Sequence, residues 1–274
     1  MTSNDALCRI SPASKSKTHL LWVPHAGGAT APLFKQFRAL AASRNTASSI
    51  NLWAVRLAGR ESRYSDPLET DMDSLVQSIT DEVQRTFDSS DTLVLAGHSL
   101  GALIAYRLAI QLQEGQLQEG RLLKGRLLKG SSGPSRVKGL IVMGASPPNQ
   151  WTQNRDWLDW DDDAFAEELD RRYGGLPAGL KQHPDALAMF LPIVRADLKL
   201  ARGVAIAEHP TIPVPIRALA GAEDHVANRA KMQGWQSLTS AGFSLRVLPG
   251  DHFFPVANLS KVLLTAETLS GDGG

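Results

Sequence analysis

The residue best suited to chemistry is Ser99, at the centre of Gly97–Gly101 (Gly-His-Ser-Leu-Gly). An alkyl hydroxyl is a poor nucleophile at neutral pH, so it needs a histidine base held in place by an acid. Where G-x-S-x-G joins a strand to a helix, the turn is so tight that the flanking residues must be small. It lifts the hydroxyl above the sheet edge and aims the next amide, that of Leu100, at a developing oxyanion. The base and acid have candidates downstream. His252 stands in Leu248–Phe254 (Leu-Pro-Gly-Asp-His-Phe-Phe), and Asp224 in Ala220–His225 (Ala-Gly-Ala-Glu-Asp-His). Serine, then acid, then histidine is the chain order that accompanies this kind of turn. Ser99, Asp224 and His252 are therefore the candidate triad for acyl transfer through a serine ester.

Other residues compete for these roles. His225 could be the base, but it neighbours Asp224 and would leave the last strand's loop without a role. Asp251 could be the acid, yet a residue adjacent to a histidine rarely reaches its Nδ1, and a turn-forming role suits it better. Glu223 reads as a solvated neighbour. His19, His183 and His209 have no partnered context.

The elements that must position the triad can be read from apolar patterning. Strand-like runs are His19–Val23, Asn51–Leu57, Asp91–Ala96, Gly139–Gly144, Pro215–Ala220 and Phe243–Leu248. Helical spacing runs over about 32–43, over about 72–87 with Asp71 as its cap, and over 102–110. The alternation predicts an α/β fold, a mostly parallel sheet with helices on both faces built from right-handed crossovers. With the serine turn included, its natural form is the α/β-hydrolase arrangement. Ser99, Asp224 and His252 then all emerge at the carboxyl edge of the sheet.

Two stretches interrupt the alternation. Over about 111–136, tandem pentapeptide duplications place a glycine at every fifth position, a period that matches neither helix nor strand. The run Ser131–Ser135 adds linker-like composition, so a flexible insert on the face opposite the site is expected. Over about 147–210 lies an acidic segment dotted with tryptophans, followed by the amphipathic run Phe190–Leu200. Following the strand after the serine turn, it would lie over the site as a helical lid and shape an acyl pocket. Trp157, Trp160 and Phe165 are candidates either to line that pocket or to pack the lid's own core.

At 274 residues the chain suits one domain, spanning 1–274, with the lid as a subdomain. Lys plus Arg number 29 against 28 Asp plus Glu, so no basic field argues for nucleic acid or an anionic membrane. The single cysteine, Cys8, cannot form an internal disulfide, which fits a reducing compartment. No secretory signal and no membrane-span-length apolar run is visible, so a soluble cytoplasmic protein is expected.

The motifs together resemble the type II (external) thioesterases that accompany nonribosomal peptide and polyketide synthetases. The resemblance rests on Val23–Gly28 (Val-Pro-His-Ala-Gly-Gly), Gly59–Arg63 (Gly-Arg-Glu-Ser-Arg) and Gly97–Ala102. It extends to the lid-helix segment Leu191–Asp197 and the terminal histidine segment Leu248–Phe254, so it spans about 20–255. Ala58 stands where proline usually precedes Gly-Arg, and Leu100 where methionine is common. The resemblance implies Ser99, Asp224 and His252 as the triad, and the Ala26 and Leu100 amides as the oxyanion hole. The glycines of the first motif agree, since they let backbone amides approach a ligand closely. His25 is then a loop-shaping residue. Arg60 and Arg63 are candidates for the phosphate of a substrate arm or an acidic partner surface, with ion pairing to Glu61 or the lid as the alternative. The implied task is hydrolytic editing of acyl groups on the phosphopantetheine arms of acyl or peptidyl carrier proteins, with no metal and no cofactor beyond the substrate's own arm. A monomer is the default. Rival readings are a stand-alone fatty acyl-carrier thioesterase or general ester hydrolase, and a non-enzymatic partner of the synthetase.

Overall fold

A computed structural model describes residues 5–43, 50–118, 136–151, 156–174, 176, 180, 182–204 and 209–271. Seven strands form a single sheet: β1 (Leu7–Arg9), β2 (Thr18–Val23), β3 (Asn51–Val55), β4 (Thr92–His98), β5 (Val137–Met143), β6 (Ile216–Gly221) and β7 (Phe243–Leu248). Their order is β1-β3-β2-β4-β5-β6-β7, antiparallel only at β1–β3. The edge strand β1 was not expected from the sequence, because three residues are too few to show a period.

Alternation along the strands sorts side chains onto two buried faces. Leu21, Val23, Leu93 and Leu95 face one core with α2 (Met72–Thr86) and α3 (Leu100–Gln118). Leu20, Trp22, Val94 and Ala96 face the other with α1 (Ala31–Ala42) and the C-terminal helix, residues 259–270. Burial on both sides explains why the central strands read as continuous apolar runs. In α2, Met72, Leu75, Val76, Ile79 and Val83 form the buried stripe. The Ser74 amide donates to Asp71 at 2.8 Å, as the cap reading required.

The two interruptions fare differently. Helix α3 runs on to Gln118, past Gly115, so the expected insert begins later than residue 111. A single glycine costs only ~1 kcal/mol against alanine, and the surrounding Leu, Gln and Glu are good helix formers. The rest of that expectation, residues 119–135, lies outside the described residues. Within 147–210 the structure holds short 3-10 turns, then α4 (Asp162–Tyr173) and α5 (Pro184–Val204). Trp157 and Phe165 stack there at 5.4 Å in a small core with Leu158, Leu169, Leu191, Val194 and Leu198. Between the two roles considered for them, they take the packing one. Trp160 is about half exposed and lines neither. The remaining helices are α6 (Arg229–Gln233), α7 (Phe254–Ala257) and α8 (Leu259–Ser270).

Candidate active site

The sheet order reverses between β2, which pairs with β3 on one side, and β4 on the other. Crevices for ligands form at the carboxyl ends of strands flanking such a switch. Ser99 emerges there from β4 and His25–Gly28 from β2. The turn at Ser99 is strained, with φ at 54°, in the left-handed region that a side chain rarely adopts. Its flanking glycines are obligatory for a steric reason. A Cβ on Gly97 would lie 2.1 Å from the Gly101 carbonyl oxygen, and one on Gly101 would lie 2.2 Å from that of Val23. The Ser99 amide donates to the Met143 carbonyl at 2.8 Å, tying the turn to β5.

The structure brings the three expected side chains into one line. His252 Nε2 lies 3.1 Å from Ser99 Oγ, and His252 Nδ1 lies 3.1 Å from Asp224 Oδ2. His252 and Asp224 are both buried. Burial pushes the Asp224 carboxyl up, but the His252 hydrogen bond and the Ala227 and Val226 amides outweigh it and hold it below its ordinary value. Those amides donate to Asp224 Oδ1 at 3.0 and 2.8 Å. One oxygen is thus fixed by backbone, and the other faces the imidazole. The rival His225 is exposed, while Asp251 accepts the Phe253 amide at 2.8 Å as a turn former.

Two further histidines surround the triad. His98 donates from Nε2 to the His252 carbonyl at 2.8 Å, and its ring lies 4.9 Å from that of His25. Burial, reinforced by the neighbouring histidines, holds the His98 ring well below the usual imidazole range. Burial and the nearby His252 and Arg60 push His25 down to about 4. Both are neutral near pH 7.

Ser99 sits where two clefts meet. One, with about 450 Å³ of empty space including its open mouth, is walled by Leu169, Phe190, Val194 and Leu198 of the lid, with His25 and Ala26. The other, about 780 Å³ by the same measure, is edged by the more polar Ser146, Gln150 and Lys231. Tyr173 lines both, its ring 5.5 Å from that of His252. Sequence reasoning missed Tyr173, since nothing local marks the last turn of a lid helix as facing a distant histidine. Leu100 opens α3, so its N–H has no carbonyl one turn back within the helix to receive it. Ala26 lies in a turn closed by the Gly28 amide donating to the His25 carbonyl at 2.8 Å. Gly27 in that turn has φ at 73°, the sign a type II turn needs at its third position.

The arginines, candidates for a phosphate contact or for ion pairing, are both engaged within the chain. Arg60 is buried and makes a two-pronged pair with Asp197 of the lid, at 2.8 and 2.7 Å. Arg63 bonds Asp66 and the Arg56 carbonyl, each at 2.8 Å. Neither head is free for a phosphate, and for Arg60 the alternative of pairing with the lid holds. Glu61 instead takes Arg56 and receives the Thr30 and Ala31 amides at the start of α1. Among the described residues no group of three or more His, Cys, Asp or Glu is arranged to hold a metal, and no helix is long and apolar enough to cross a membrane.

Comparison with known proteins identifies relatives of the chain. Thioesterase PikA5 of Streptomyces venezuelae is 28% identical over 246 residues, covering 90% of this chain and 78% of the relative. The medium-chain S-acyl fatty acid synthase thioesterase of Rattus norvegicus is 29% identical over 211 residues, covering 75% and 72%. The solved structure of RedJ, a thioesterase from the prodiginine biosynthetic pathway in Streptomyces coelicolor, superposes with a TM-score of 0.75 at 25% identity. It covers 94% of this chain and 95% of that one. The thioesterase domain family matches residues 18–124 and 125–269, and the chain belongs to that family.

Proposed function

We propose that this thioesterase removes acyl groups from the phosphopantetheine arms of carrier proteins of a peptide or polyketide synthetase, clearing stalled or misloaded arms. The observation that carries the reading is Ser99 Oγ held 3.1 Å from a buried, Asp224-oriented histidine at the junction of an apolar and a more polar cleft. Ser99 attacks the thioester carbonyl as His252 takes its proton. The Leu100 and Ala26 amides receive the oxyanion, each contributing ~3 kcal/mol to transition-state stabilisation. His252 then protonates the departing thiolate, leaving an acyl-serine that water, deprotonated by the same histidine, hydrolyses to the acid. The acyl chain takes the cleft of Leu169, Phe190, Val194 and Leu198. The amide-bearing arm takes the cleft of Ser146, Gln150 and Lys231.

The substrate brings its own phosphopantetheine, so the enzyme needs no further cofactor, and we infer a cytoplasmic monomer. Similarity to the thioesterase PikA5 and to a fatty acid synthase thioesterase supports a carrier-bound substrate. The test sets acetyl- and longer acyl-carrier proteins against the same acyl groups on coenzyme A. Ser99-dependent release that favours the carrier is expected. Equal or faster turnover of coenzyme A thioesters would make the enzyme a general acyl hydrolase.

A further inference from the structure

The buried pair of Arg60 and Asp197 joins three segments that lie far apart in the chain. Asp197 lies on α5, the lid helix, and its Oδ2 receives two donors at once. One is Arg60 Nη1 at 2.8 Å, and the other is the Gly27 amide at 2.7 Å. Arg60 Nη2 takes Oδ1 at 2.7 Å, completing a two-pronged pair. The same guanidinium donates to the Gly28 carbonyl at 3.2 Å, and its Nε to the Ala58 carbonyl at 3.2 Å. The peptide group joining Ala26 to Gly27 is therefore gripped by the lid carboxylate, and the one joining Gly28 to Ala29 by the arginine.

Packing reinforces the grip. A Cβ on Gly27 would meet Val194 at 2.7 Å and Phe190 at 2.8 Å, so the lid helix lies directly against the turn. The pair is almost fully desolvated, with side chains 7% and 5% exposed. Such a pair is weak evidence of a stabilising role, because apolar residues of similar volume often serve as well or better. What apolar residues cannot do is accept the Gly27 N–H and fix the peptide plane beside Ala26.

We propose that Asp197, clamped by Arg60, is a positioning residue for the oxyanion hole. It holds the His25–Gly28 turn so that the Ala26 amide points at the carbonyl oxygen above Ser99. The lid helix thereby sets the geometry of the reaction as well as the walls of the cleft. The inference rests on the proposed role of the Ala26 amide, but not on the carrier protein as substrate.

The test pairs Asp197→Asn with the double variant Arg60→Met/Asp197→Leu. The double variant removes both charges and preserves apolar packing, so it separates folding from positioning. Small acyl thioesters serve as substrate, so a failure of the carrier reading leaves this result readable. In the double variant, kcat is expected to fall roughly 10- to 100-fold with KM nearly unchanged, the effect of displacing one oxyanion donor. Affinity for a trifluoromethyl ketone, which forms a tetrahedral adduct with Ser99, is expected to fall by the same factor, and affinity for the product acid to hold. A folded double variant that keeps kcat and ketone affinity within about twofold of wild type would overturn the proposal. So would parallel losses in product-acid and ketone affinity, because they would mark a collapsed cleft in place of a misaimed amide.

Discussion

Replacing Asp224 by asparagine tests the site's proton logic without changing its shape. The Val226 and Ala227 amides both donate to Oδ1, at 2.8 and 3.0 Å, and they need an acceptor. In Asp224→Asn they therefore fix the side-chain carbonyl in that position and turn the NH₂ group toward His252 Nδ1, 3.1 Å away. An NH₂ cannot accept the Nδ1 proton, so the ring adopts the other tautomer and carries its proton on Nε2. Ser99 then faces a donor where it needs a base. The same wrong-tautomer effect in the trypsin-type triad lowers kcat ~10⁴-fold, or about 5 kcal/mol in barrier. Steady-state hydrolysis of a short acyl thioester near neutral pH, with thermal unfolding as a folding control, measures it. A folded Asp224→Asn enzyme within about tenfold of wild-type kcat would refute the assignment of Asp224 as the orienting acid.

Further outcomes follow from burial and titration. His25 and His98 are both depressed in the folded state, His25 from 6.5 to about 4. Between those values the unfolded chain binds more protons, so stability is full above about 6.5 and is lost as pH falls toward 4. His25 alone accounts for at most roughly 3 kcal/mol of this. The melting temperature should drop across that window, and less steeply in His25→Phe; a flat profile would contradict it. Phe165→Ala, at a fully buried site stacked on Trp157, should cost about 3–5 kcal/mol by denaturant unfolding. Val194→Phe narrows the lid-walled cleft, so turnover of long acyl chains should fall well before that of acetyl, as competition kinetics would show.

Much of this was legible in the sequence because the chemistry sits on locally encoded features. The glycines at 97 and 101 announce a turn whose sterics admit nothing larger, and strand patterning places Asp224 and His252 at the same sheet edge. The α2 helix was readable from its apolar period, and Asp71 as its cap from residue type and position. What escaped depends on long-range pairing. Arg60 and Asp197 are 137 positions apart, and nothing near either one says that a cation in Gly59–Arg63 faces inward to a lid carboxylate. Strand β1 is three residues long and takes its place from pairing with β3, while Tyr173 meets His252 only because the lid folds back over the sheet.

The most direct measurement is mass spectrometry of the enzyme quenched during turnover of an acyl thioester, with Ser99→Ala alongside. An acyl adduct on the peptide containing Ser99, absent from the variant, is expected, together with loss of turnover in Ser99→Ala. Hydrolysis with no adduct on that peptide, and a Ser99→Ala rate matching wild type, would contradict the account.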